Sequence, residues 1–148
     1  MPGVPVLVSE ENSTRAIALD SVVLLNQPLK LDSPIAWGPD KRTRVMIFAI
    51  NFDLLPGENS SAVSAMAEDG SHNLYLLTVE SVSKVPGCSW LNCIIIRLND
   101  NMGDLGDVLL RVNVHGLGSN RVRLGVGHIG GGLPDDPGSF PTPGTAPQ

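Results

Sequence analysis

The sequence predicts an all-β domain, an antiparallel sandwich or barrel of about seven strands, followed by a Gly/Pro-rich tail. Three observations predict it. Hydrophobic residues make up 42 % of the 148, enough to build a core, yet aromatics are only 4 %, so that core must be Val, Ile, Leu and Ala. Short β-branched runs broken by Gly, Pro, Asn and Asp follow one another, while helical periodicity is scarce. From Gly130 onward, Gly, Pro, Asp and Thr dominate and little is left to bury, which reads as a disordered linker or stalk. The expected divisions are a flexible segment at 1–14, the β domain at 15–129 and the linker at 130–148.

The elements follow in chain order. Residues 15–25 read as one strand or two short ones. Residues 43–51 hold the nearly continuous run Val45-Met46-Ile47-Phe48-Ala49-Ile50, suited to a central strand. Leu54-Leu55-Pro56-Gly57-Glu58 is a turn. At 60–68, Ala and Met favour helix over a marginal length, and strand is preferred. Glu68-Asp69-Gly70-Ser71-His72 then makes a hairpin turn into a strand at 73–81, with a further strand at 93–98. The clearest strand is 107–115: Val108, Leu110, Val112 and Val114 fall on one face, Leu109, Arg111, Asn113 and His115 on the other. Gly116-Leu117-Gly118-Ser119-Asn120 supplies turn residues, and the alternation in 121–126 completes an antiparallel hairpin.

Bulk numbers exclude some functions. Ten basic against 15 acidic residues leave a net charge of −5, the wrong sign for nonspecific nucleic-acid binding. No stretch approaches the roughly 20 apolar residues of a membrane span. The N-terminus has no basic region and too short an apolar run for a signal peptide. Gly-x-Ser-x-Gly is absent, and no His activator is indicated for either Cys, so the chain reads as non-catalytic.

Candidate site residues are few. Cys88 and Cys93 lack the second ligand pair of a zinc site and the spacing of a redox motif, which leaves a disulfide closing a small loop or two buried thiols. In the loop from Asn99 to Asp107, Asp100, Asn101, Asp104 and Asp107 offer the hard oxygens that Ca²⁺ prefers, off EF-hand spacing; a plain turn is the competing reading. His72, His115 and His128 read as exposed polar residues. Trp37, in a Pro/Gly-rich stretch, is a core plug or a contact residue, with core packing favoured; Trp90 is the second candidate contact for a sugar or protein. The charges at Lys41, Arg42, Arg44, Arg121 and Arg123 read as guards against edge pairing. Asn12-Ser13-Thr14 and Asn59-Ser60-Ser61 match the glycosylation pattern by coincidence.

Several stretches carry a resemblance: Arg15-Ala16-Ile17-Ala18-Leu19-Asp20-Ser21-Val22, Arg42-Thr43-Arg44-Val45-Met46-Ile47-Phe48-Ala49, Asp53-Leu54-Leu55-Pro56-Gly57-Glu58, Ala67-Glu68-Asp69, Leu77-Thr78-Val79-Glu80 and Lys84-Val85-Pro86-Gly87. Together they resemble an uncharacterised module of secreted and surface proteins from acidobacteria and related soil bacteria. The closing Gly116-Leu117-Gly118-Ser119-Asn120-Arg121-Val122 is similar to the end of the IPT/TIG immunoglobulin-like domain. The resemblance covers roughly three quarters of the chain and implies an immunoglobulin-like β-sandwich with an extracellular or cell-surface location; it implies no activity. Cys88 and Cys93 flanking Trp90 depart from the pattern, and their joint appearance favours the disulfide. The expected function is therefore a structural or adhesive module, whose partners are other modules of the same protein or neighbouring copies. Self-association by residues 4–8 adding to a neighbour's sheet edge is one form of it. The alternative is a carbohydrate- or calcium-binding module that recognises surface glycans.

Overall fold

Alternating apolar residues decide which side of each strand turns inward. The computed structural model describes residues 5–9, 14–20, 29, 42–50, 52, 54, 56–99 and 101–133. Among them lie nine strands: β1 (Val6–Leu7), β2 (Ala18–Asp20), β3 (Arg44–Ile50), β4 (Val63–Glu68), β5 (Leu74–Val85), β6 (Cys88–Arg97), β7 (Gly106–Val114), β8 (Leu117–Gly118) and β9 (Val122–Val126). On β3, Val45, Ile47 and Ala49 are buried; on β7, Val108, Leu110, Val112 and Val114 are. Ala65, Ala67, Leu77, Ile94, Ile96 and Leu124 join them in one aliphatic core. Core burial of this kind is worth roughly 1.5–3 kcal/mol for each large aliphatic side chain.

The strands form one sheet in the order β1-β3-β6-β5-β4-β7-β8, with β2 also on β3 and β9 also on β7. All these named pairings are antiparallel. The sheet is curled into a half-barrel. β5 makes the bend: Leu74–Leu77 pair with β4, whereas Thr78–Val85 pair with β6, and the ladder shifts at Glu80. An inserted residue increases local twist, which turns one half of the sheet over the other.

Local chemistry sets the turns. Asn59 accepts from the Ser61 N–H at 2.9 Å and caps a single 3₁₀ turn, Ser60–Ala62, after which the preferred strand begins at Val63. Between β4 and β5 the Asp69 carboxylate accepts from the backbone N–H groups of Ser71 and Asn73 and from the Tyr75 hydroxyl, each at 2.9 Å. His115 and Gly116 both have positive φ, 51° and 77°, the conformation of a two-residue type I′ hairpin turn. The turn is therefore tighter than the 116–120 stretch suggested. Leu117–Gly118 already pair back onto β7, and β9 pairs further along the same edge.

The chain ends differ from expectation. Val6–Leu7 pair with Ile50 and Ala49 of their own β3, and Leu7 is buried, so the ordered fold begins before Arg15. At the other end, Gly130 O accepts from Asp107 N at 2.9 Å and Leu133 O accepts from Arg123 at 2.6 Å. Residues 127–133 are thus a strap packed on the sheet. Of the glycines expected to give a flexible linker, Gly132 allows close approach, while Gly130 and Gly131 have positive φ, 99° and 83°. A Cβ on Gly132 would collide with the Asp107 carbonyl, and one on Gly70 would stand 2.5 Å from Gly131 O. The proline-rich remainder, 134–148, lies outside the described residues.

Thr14–Ala16 and Leu29 bridge the open side of the half-barrel. Arg15 pairs with Arg123, and Leu29 with Val126, in parallel orientation against β9.

Candidate functional site

The acidic loop between β6 and β7 was the strongest candidate for a cation. Its carbonyls already have a positive charge: the Arg42 guanidinium donates to Asn99 O, at 3.0 Å from Nε, and to Met102 O. Asp104 pairs with His128 on the strap. Asp107 receives a two-pronged contact from Arg15, 2.6 and 2.9 Å, with Arg123 at 3.8 Å. Asn101 is exposed, and Asp100 lies outside the described residues. Asp104 and Asp107 are thus directed to different cations of the protein itself. Among the described residues, no group of three or more His, Cys, Asp or Glu side chains could hold a metal ion.

Burial alone would raise the Asp107 carboxyl, which is 5 % exposed. Hydrogen bonds from Arg15 and the Gly130 backbone, with the charges of Arg15 and Arg123, hold it below the ordinary aspartate value. Asp69 follows the same pattern: burial opposes ionisation, and the donors on Asn73, Tyr75 and Ser71 outweigh it. These carboxylates are stabilised as anions, the opposite of what a general acid needs. The other histidines also have carboxylate partners, His72 with Glu68 at 2.9 Å and His115 with Glu58 at 2.8 Å.

Cys88 and Cys93 stand as free thiols in this structure, the second of the two arrangements that the sequence left open. Cys93 lies opposite Ser83, and Cys88 opposite Val85. Two steps of extended strand, about 6.6 Å, separate those positions, beyond the Cβ–Cβ reach of about 4 Å that a disulfide needs. Burial also pushes the Cys93 thiol up, so it is a weak nucleophile.

Trp90 is the one sequence-predicted contact residue that the described structure displays: it is 65 % exposed. The ladder explains why. Lys84 pairs with Asn92 and Val85 with Cys88, so Ser89, Trp90 and Leu91 bulge out of register with β5 next to the hairpin tip. Trp37 lies outside the described residues.

A second apolar surface escaped the sequence reading. Leu74 and Leu76 are 63 % and 66 % exposed, and Met66 stands directly opposite Leu76 across β4 and β5. In the run Leu74-Tyr75-Leu76-Leu77 every residue is apolar, so alternation could not say which pair faces out. Comparisons of the chain with protein-family models, curated proteins and solved structures find no match.

Proposed function

We propose that the chain is a non-catalytic, immunoglobulin-like structural or adhesive module of a secreted or cell-surface protein, joined to neighbouring modules through its Gly/Pro-rich C-terminal stretch. One observation carries the reading: three charged pairs that could have done chemistry tie separate parts of the fold together. Asp104–His128 fastens a loop to the strap, Asp107–Arg15 fastens the N-terminal segment to β7, and Glu68–Arg121 (2.6 Å) links β4 to the start of β9. The immunoglobulin-like affiliation and the extracellular setting rest on the resemblance in 15–126. The free thiols add nothing to the case for an oxidising compartment.

Exposed Trp90 favours a second reading, carbohydrate binding, because an aromatic face stacks on the apolar face of a sugar ring. Thermal unfolding of the purified chain against a panel of soluble oligosaccharides separates the two. The structural reading expects no shift with any sugar. A saturable rise in Tm that disappears in Trp90→Ala would replace it with the carbohydrate-binding reading.

A further inference from the structure

On the outer face of the sheet, Leu76 of β5 stands opposite Met66 of β4, which stands opposite Arg111 of β7. The three side chains therefore form one row across three strands, and all are exposed, as is Leu74 in the adjoining row. Arg111 donates from Nε to Ser119 O at 3.0 Å, and among the described residues it pairs with no carboxylate. The adjoining row is closed by contacts of its own chain. There Leu74, Glu68, Leu109 and Arg123 follow one another, Glu68 bonds Arg121, Arg123 holds Leu133 O, and Leu109 is buried. The row ending at Arg111 instead presents an apolar strip with a positive charge at one end.

Matching chemistry lies in the last part of the chain, 134–148. Its only charged side chains are Asp135 and Asp136, and its only large apolar one is Phe140. From Asp136 to Phe140 is about 12 Å in the extended form that prolines favour. From Arg111 to Leu76 is two strand spacings, about 10 Å. An acidic pair followed by an aromatic ring thus fits the row in charge, in polarity and in length. The described chain does not lead this segment onto its own row. Gly131 lies beside Gly70 in the β4–β5 turn, but two residues later Leu133 O is held by Arg123 of β9, across β7 from β4. The strap therefore ends heading away from β5. A second folded face is a poor match too, since so few side chains fall far short of the roughly 20–30 residues a side of a stable interface.

We infer that this row binds residues 134–140 of a neighbouring copy, with Phe140 on Leu74, Leu76 and Met66, and Asp135 and Asp136 at Arg111. The inference rests on the reading of the domain as a structural module and names the partner that reading needs. Donor segment and receiving row are different surfaces of one chain, so the contact is heterologous. Each bound copy still offers one free segment and one free row, and copies add head to tail into open chains. Each contact is small, and the association is correspondingly weak.

Sedimentation equilibrium on the full chain, from about 10 μM to 1 mM, tests this. The weight-average mass is expected to rise with concentration past that of a dimer, and to fall back at high salt. Phe140→Ala removes the donor and Leu76→Ser the receiver, with both folds checked by circular dichroism. Each is expected to weaken the association about tenfold or more. Mixed one to one, the two variants each keep one intact half, so they should form dimers and nothing larger. A full chain that stays monomeric throughout would overturn the inference, and so would association that survives Phe140→Ala. Loss in Leu76→Ser alone would replace it with face-to-face pairing of two copies. Monomers whose Leu74 and Leu76 amide resonances shift in Phe140→Ala would put the segment on its own row and overturn the neighbour. Sugar binding at Trp90 would refute the structural reading without touching this result, and a monomeric chain would refute the head-to-tail contact without touching that reading.

Discussion

At the residue scale, Asp69 shows how one side chain sets a turn. Its carboxylate gathers donors from Ser71, Asn73 and Tyr75, and its neighbour Gly70 leaves room for the strap. Because the folded carboxyl titrates below the ordinary value of about 3.9, the unfolded chain binds the proton first as pH falls. Its stabilisation is therefore complete above that value and is lost as pH drops through the folded one. Asp69→Asn puts an amide donor against the Tyr75 hydroxyl and Asn73 amide, and should cost about 1–3 kcal/mol at pH 7. The same variant should flatten the loss of stability as pH falls below about 4. Urea unfolding at neutral pH and at successively more acid pH checks the pair of outcomes; an unchanged acid slope would show that Asp69 is not the linked group. The turn itself was legible in Glu68-Asp69-Gly70-Ser71-His72, since Asp and Gly in that order ask for it. The fate of Cys88 and Cys93 was not, because it depends on the register between β5 and β6, which four intervening residues do not determine.

At the scale of elements, β7 was the most legible in its second half, where burial alternates; over Gly106–Leu110 both faces are buried, including Leu109, which the alternation had put on the wet face. β4 was nearly so: Ala and Met suited a helix, but Val63, Ala65 and Ala67 repeat every second residue and all are buried. The long β5–β6 hairpin was half missed. Ser81, Ser83 and Lys84 are polar, and the outer ends of its arms lie past the buried core, so hydrophobic pattern gave no signal there. The strap was missed for a different reason. Glycine serves flexibility and close approach equally well, and only the position of Asp107 shows which one Gly132 provides. A chain ending at Ile129 loses the Gly130 and Leu133 bonds and frees the Asp107 N–H, at a cost of about 1–2 kcal/mol. Its Tm should fall by about 2–8 °C relative to a chain ending at Leu133, which should melt with the full-length protein. Equal melting of the 129 and 133 chains would mean that the strap contributes nothing to the fold.

At the scale of the molecule, the two ends of the chain complete one another. Leu7 is 1 % exposed and lies between Ala49 of β3 and Asn120, which itself leads into β9. The segment that looked unanchored in sequence is thus a wall of the core, and its two-residue strand was too short to announce itself by alternation. Closing a sheet removes an edge that would otherwise offer unpaired N–H and C=O groups to other chains. Removal of residues 1–13 should therefore do two things at once. It deletes Leu7 from the core, a loss of about 2–5 kcal/mol if the cavity does not collapse, and it bares the Phe48–Ile50 edge of β3. Removal of residues 134–148 touches none of the contacts described for the core. The urea midpoint of the first truncation should fall well below that of the second, and light scattering should show the first to self-associate. Matching midpoints would mean that the half-barrel is stable with its N-terminal wall absent, and that residues 5–9 cover the sheet without stabilising it.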